Sequence, residues 1–156
     1  MLAARSDQKV LGYLGRALSL ELSAVQQYST QARLAASWGL SEAAASFRKE
    51  AGEELQHADR IIDRMLAVGV APAASQLRPV ELAADLSGLL RLNQQFEADV
   101  IGLYQSATRH AASVGDHDSR VFFEELLQEE QAHHAELGDW LHRLQQIPDQ
   151  RRRGTR

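Results

Sequence analysis

The chain contains no cysteine, which excludes a disulfide framework and thiolate chemistry. It has only three prolines in 156 residues. Ala, Leu, Glu, Gln and Arg dominate the rest, a composition that favours helix. No apolar run is long enough to span a membrane, and the N-terminal stretch MLAARSDQKV lacks the apolar core of a signal peptide. A cytoplasmic protein without membrane association is therefore expected. The net charge of −4 gives no drive toward nucleic acid. With 44% hydrophobic and 24% charged residues the chain has an ordinary globular balance, and its length suits one domain with a real core.

What is present is a repeat. Residues 21–28 read ELSAVQQY and residues 97–104 read EADVIGLY, with the same Glu-to-Tyr spacing, 76 residues apart. The offset also matches Gly39 with Gly115, Phe47 with Phe123, Glu53 with Glu129, Glu54 with Glu130 and His57 with His133. Each half thus carries a Glu, a Tyr, a Gly and a Glu-x-x-His pair in register, as expected for two copies of one helical hairpin.

In chain order, Ser6 or Asp7 can cap a first helix, along which Leu11, Leu14, Leu18, Leu20, Val25 and Tyr28 recur at roughly helical spacing. Gly39 stops it, and Ser41 is the expected cap of a second helix running to about Leu66, ended by Gly69. The short connection makes the pair antiparallel. Residues 69–82, with two prolines, read as an extended crossover. A third helix starts near Leu82 to Asp85 and stops at Gly115; a fourth, capped by Asp116 or Asp118, runs to about Gln146 before Pro148. The expected architecture is all-α: a ferritin-like four-helix bundle over residues 1–147, two antiparallel hairpins joined by one long crossover. Residues 148–156 are expected to form a disordered basic tail, whose arginines most simply meet solvent.

The spacing converts into a site. Glu21 lies 18 residues before Gly39 and Glu54 lies 15 after it, legs of about 27 and 22 Å at the helical rise. Glu54 therefore returns close to the height of Glu21, with His57 one turn on, on the same face. Glu97, Gly115, Glu130 and His133 repeat the arithmetic. Facing hairpins would bring four carboxylates and two imidazoles to one level of the core, where each unpaired charge costs several kcal/mol. Two divalent cations relieve this, and mixed oxygen and nitrogen donors suit iron or manganese better than magnesium or a closed zinc site. A Glu from each of two helices plus Glu-x-x-His from the other two is the known pattern of ferritin-like di-iron and di-manganese bundles. A lone Glu-x-x-His is ordinarily surface decoration; two complete sets in register are not. Tyr28 and Tyr104 can each hydrogen-bond a ligand carboxylate or be core aromatics with satisfied hydroxyls. Glu53, Glu129 and His134 neighbour ligands on their helices and are expected to point elsewhere, the two glutamates as solvated or cavity-facing carboxylates. His110, His117 and His142 are expected at the surface.

Over about residues 8–146 the chain resembles the bacterioferritins. The likeness rests on ELSAVQQY, SWGL at 37–40, EELQHADR at 53–60, Glu97 with Tyr104, and EEQAH at 129–133. The resemblance implies a di-iron ferroxidase centre within the subunit: Glu54 and Glu130 bridge two irons, Glu21 and His57 complete one, and Glu97 and His133 the other. It implies Fe(II) oxidation by dioxygen or hydrogen peroxide, storage of ferric mineral in a 24-subunit shell, and a further electron from Tyr28. The family's haem hangs on a methionine after the second-helix Glu; that position is Leu55, so haem is not expected. The family's short fifth helix has no counterpart in the sequence after Pro148, and its tryptophan three residues past the last ligand His is Glu136 here. Two other expectations stand beside storage: a di-iron oxidase or peroxidase that stores nothing, and a non-haem subunit mixed into shells with a haem-binding partner.

Overall fold

The computed structural model describes residues 7–147. Four helices follow in order: α1 Gln8–Ser37, α2 Ser41–Ala67, α3 Leu86–Ser113 and α4 His117–Gln145. None is long and apolar enough to cross a membrane. The two ends of the chain, with Ser6, Pro148 and the basic tail at 148–156, lie outside the described residues.

Local chemistry fixes the helix ends. Asp7 accepts hydrogen bonds from the backbone N–H groups of Lys9 and Val10 at 3.0 and 3.1 Å. Asp85 and Asp116 do the same for Gly88 and Ser119, filling donors that the first helical turn leaves unpaired. The expected Ser41 cap of α2 is not formed: the cap position is Leu40, which makes no side-chain cap bond. The tight turn explains the shift. Gly39 adopts φ +77°, a left-handed conformation that a side chain would strain. Three residues, Trp38, Gly39 and Leu40, separate the helices, and the half-buried Leu40 side chain packs on the core. Gly115 repeats the same turn at φ +72°.

Each hairpin packs along its length, α1 on α2 and α3 on α4, and the hairpins meet antiparallel, since Glu21 of α1 touches Tyr104 of α3 while Tyr28 touches Glu97. The core carries the repeat into space. Tyr28 packs on Phe47 at 6.2 Å between ring centres, and Tyr104 packs on Phe123 at 6.3 Å. Leu14, Leu18, Tyr28, Phe47, Tyr104 and Phe123 are fully buried. Leu11, Leu20 and Val25 are half-buried.

The crossover is extended, as its prolines require, and is strapped to α1 by a row of polar side chains four residues apart. Ser19 accepts from the N–H of Gln76, Ser23 from Arg78 and Gln27 from Glu81, while Gln31 donates to the carbonyl of Glu81. Gln27 and Gln31 also bracket Asn93 of α3 at 3.0 and 2.6 Å. This network satisfies buried polar groups that would otherwise each cost about 1–3 kcal/mol, and it fixes the register of α3 against α1.

Candidate metal centre

Midway along the bundle, one residue of α1, one of α3 and two each of α2 and α4 converge. Glu21, Glu54, Glu97 and Glu130 are at most 1% exposed, and His57 is 4% exposed. The imidazole Nδ1 of His57 lies 2.9 Å from Glu130 Oε1, 3.4 Å from Glu54 and 3.6 Å from Glu21. That of His133 lies 3.1 Å from Glu54 Oε1 and 3.7 Å from Glu130 Oε2. The two rings stack with centres 5.9 Å apart. Donor atoms of Glu21, Glu54, His57 and Glu130 fall within 4.8 Å of one another, as do those of Glu54, Glu97, Glu130 and His133. Glu54 and Glu130 belong to both sets.

Without a cation the cluster balances its charge with protons. Burial pushes the Glu54 carboxyl up to about 8, reinforced by the charge of Glu21. Burial raises Glu97 and Glu130 too, with the Glu130 and Glu21 charges adding to it. Glu21 is also penalised by burial, but bonds to Glu54 and His57 outweigh it and hold its carboxyl below the usual range. Burial opposes charging of both imidazoles, yet the surrounding carboxylates win: His57 is raised far above its ordinary value by Glu130 and Glu21, and His133 goes up to about 12 through Glu130 and Glu54. Protons are an incomplete answer. Glu21 Oε2, Glu97 Oε2 and Glu130 Oε2 remain buried with no hydrogen-bond partner. Oxygen atoms so placed, beside two imidazole nitrogens, are donors that fit a pair of divalent cations.

Both tyrosines turn their hydroxyls into this centre, and they do so across the pseudo-twofold. Tyr28 donates to Glu97 Oε1 at 2.9 Å and Tyr104 to Glu21 Oε1 at 2.6 Å. Burial raises both phenols well above their usual value, with Glu97 and Glu21 adding to the effect, so both stay protonated donors.

A scan against family models finds the Ferritin-like domain over residues 11–147. Among characterised relatives, the bacterioferritin of Rhodobacter capsulatus is 36% identical over 129 residues, covering 83% of this chain and 80% of that one. The chain belongs to the bacterioferritin family. A second relative, the bacterioferritin of Brucella melitensis, is 31% identical over 147 residues, covering 94% of this chain and 91% of its own. Among solved structures, Rhodobacter capsulatus bacterioferritin, described as having a metal-free dinuclear site and haem iron, superposes with a TM-score of 0.90 at 33% identity, covering 94% of this chain and 92% of its own.

Around this bacterioferritin-type cluster sit residues that sequence reasoning placed elsewhere or passed over. Glu53 and Glu129 were expected to point away, but each reaches across to the other hairpin's histidine. His57 Nε2 lies 2.8 Å from Glu129, and His133 Nε2 lies 2.8 Å from Glu53. Because α2 and α4 face each other, the residue before Glu54 and the residue before Glu130 each flank the opposite ring. A carboxylate so placed fixes an imidazole in one orientation. Glu50, one helical turn before Glu54, lies 3.5 Å from His133 Nδ1 and leaves Oε2 without a hydrogen-bond partner. Its only signal was the four-residue spacing, since the repeat puts Leu126 at the matching position. His110 was expected at the surface; it is half-buried and sits 2.6 Å from Asp7, tying the end of α3 to the start of α1. His117 and His142 are exposed, and His134 is half-buried outside the cluster.

A groove of about 530 Å³ opens onto the centre between α2 and α4, lined by Glu50, His133, Glu136, Phe47 and Trp140 among others. A larger cleft of about 1010 Å³ between α1, α3 and the crossover touches none of the six central residues. Leu55 lies 46% exposed on α2, with a side chain that offers no donor to a haem iron.

Proposed function

We propose that this chain is a ferroxidase that oxidises Fe(II) at a di-iron centre and stores the ferric product in an oligomeric shell. The observation that carries the reading is the pair of buried donor sets sharing Glu54 and Glu130, with three carboxylate oxygens otherwise unpartnered. In this reading Glu54 and Glu130 bridge the two ions, Glu21 and His57 hold one, and Glu97 and His133 the other. Fe(II) is the substrate: two ions lose one electron each, and dioxygen or hydrogen peroxide accepts the pair. The chain's own groups do the rest. Tyr28 and Tyr104 hold Glu97 and Glu21 in place through their hydroxyls. Glu53 and Glu129 hold the rings of His133 and His57. Where dioxygen is reduced past the peroxide level, which takes more than the two electrons of the iron pair, Tyr28, fully enclosed beside Glu97, is placed to give a further electron, with its phenolic proton passing to Glu97, and so limit radical release.

Replacing Glu54 or Glu130 by Ala removes a donor from both sets at once. The fast phase of Fe(II) oxidation, followed by stopped-flow absorption, is expected to disappear in each variant while helical circular dichroism persists. Wild-type rates in both variants would contradict the assignment. A shell of 24 subunits in the cytoplasm, built from this chain alone, is the assembly this function implies. Leu55 favours a second form of it: exposed on α2 where the family carries its haem methionine, it suits a non-haem subunit that shares shells with a haem-binding partner. Co-purification of a second ferritin chain would support mixed shells. Uptake that stops near two irons per chain on a small oligomer would instead mark a di-iron oxidase or peroxidase without storage.

A further inference from the structure

The six central residues obey the 76-residue repeat, but their surroundings break it. On the His57 side, Glu129 Oε2 meets the ring Nε2 at 2.8 Å and also accepts from Arg60 Nη1 at 2.7 Å. Arg60 Nη2 reaches Glu125 at 3.5 Å as well. On the His133 side, Glu53 takes the place of Glu129, and beyond the ring it pairs with Lys49 at 3.7 Å, on a side chain 77% exposed. The residue matching Arg60 is Glu136, which lines the open groove beside His133 together with Glu50. One histidine is thus held by a carboxylate that accepts from a half-buried arginine at 2.7 Å, and the other by a carboxylate paired only with an exposed lysine at 3.7 Å.

We infer that Arg60 is a positioning residue for the Glu21–His57 half of the metal centre, acting through Glu129 to lock the His57 ring with Nδ1 toward the ions. The inference rests on the metal-centre reading above. Arg60 has two opposed effects on a nearby cation. Its charge repels the cation, whereas its grip on Glu129 preorganises the ligand. Arg60 sits on Glu129 and within reach of Glu125, so two carboxylates offset its charge, and the preorganising effect dominates. Removing it therefore weakens this half-site, whereas a purely electrostatic role would tighten it.

The test is a titration of the metal-free protein with Co(II) alone, read by calorimetry and by the visible absorption of the bound ion, with no turnover involved. His133→Ala leaves only the Glu21–His57 half intact, and His57→Ala leaves only the other half. Adding Arg60→Gln is expected to weaken Co(II) binding about threefold in the His133→Ala background, less than loss of a direct outer-shell partner because Arg60 acts through a half-exposed pair, and to leave the His57→Ala background unchanged. Arg60→Lys, which keeps the charge but loses the fork, is expected to restore only part of the affinity. Tighter binding, no change, or equal weakening in both backgrounds would overturn the role of Arg60. A wild-type protein that binds no Co(II) would overturn the metal centre itself.

Discussion

Replacing Glu54 by Gln should stabilise the metal-free protein while removing its response to metal. Glu54 is 1% exposed among three other carboxylates, and burial followed by the Glu21 charge raises its carboxyl from 4.5 to about 8. The folded state therefore holds a proton that the unfolded chain releases near pH 4.5. Stability is unaffected below that pH and falls as pH rises from there toward 8. At pH 7 the deficit is roughly 3 kcal/mol. Gln is neutral at every pH and avoids it; its carbonyl can still accept from the His133 ring, and its amide can donate to Glu21. For a chain of this size that gain corresponds to about 6–12 °C in melting temperature, read by circular dichroism at pH 7 after chelation, with protein concentration fixed. At pH 5 the two proteins should melt nearly together. Adding Co(II) should then raise the melting point of the wild type and not of the variant. A variant that is less stable than wild type at pH 7 and metal-free would refute the idea that buried carboxylates strain the empty centre.

Other outcomes follow from the same contacts. Phe47→Ala removes a fully buried ring packed between Tyr28 and Trp140 and should cost about 3–5 kcal/mol; a urea midpoint within error of wild type would contradict this packing. Metal uptake should release protons, because raised groups such as His133 (about 12) and Glu54 (about 8) are protonated at neutral pH in the empty centre and must deprotonate to bind. Affinity measured by calorimetry in several buffers should therefore increase from pH 6 to 8, and a flat profile would count against these groups as ligands. Tyr104→Phe deletes the 2.6 Å bond to Glu21 and should weaken Co(II) binding at the Glu21–His57 half by roughly 1.5–3 kcal/mol, with the other half spared. Iron loading in air, followed on a sizing column, should give many ions per chain on a particle of about 24 subunits; loading that ends near two per chain would remove storage from the account.

Much of this architecture could be read from the sequence because the repeat supplied a ruler. Gly39 and Gly115 mark the turns, and legs of 18 and 15 residues bring Glu54 back near the height of Glu21 and Glu130 near that of Glu97. The reading failed where contacts cross between hairpins. Ser19, Ser23, Gln27 and Gln31 form a polar row at helical spacing, which looks like a solvated face until the crossover is laid on it. Glu53 and Glu129 recur visibly, but only the antiparallel facing of α2 and α4 shows that each guards the opposite histidine. Glu50 and Arg60 escaped for a different reason: a search for repeats is blind to positions where the repeat is broken, and there the structure distinguishes one half of the centre from the other. Ser41 illustrates a smaller point: the turn places Leu40 at the cap position and Ser41 already inside the helix, so the cap its identity suggested does not form.

The most direct test of the central claim is anomalous diffraction from crystals of the protein soaked anaerobically in Fe(II), collected at the iron edge. The account predicts two peaks per chain, one among Glu21, Glu54, His57 and Glu130 and one among Glu54, Glu97, Glu130 and His133. A single peak, or none between the four glutamates, would contradict it.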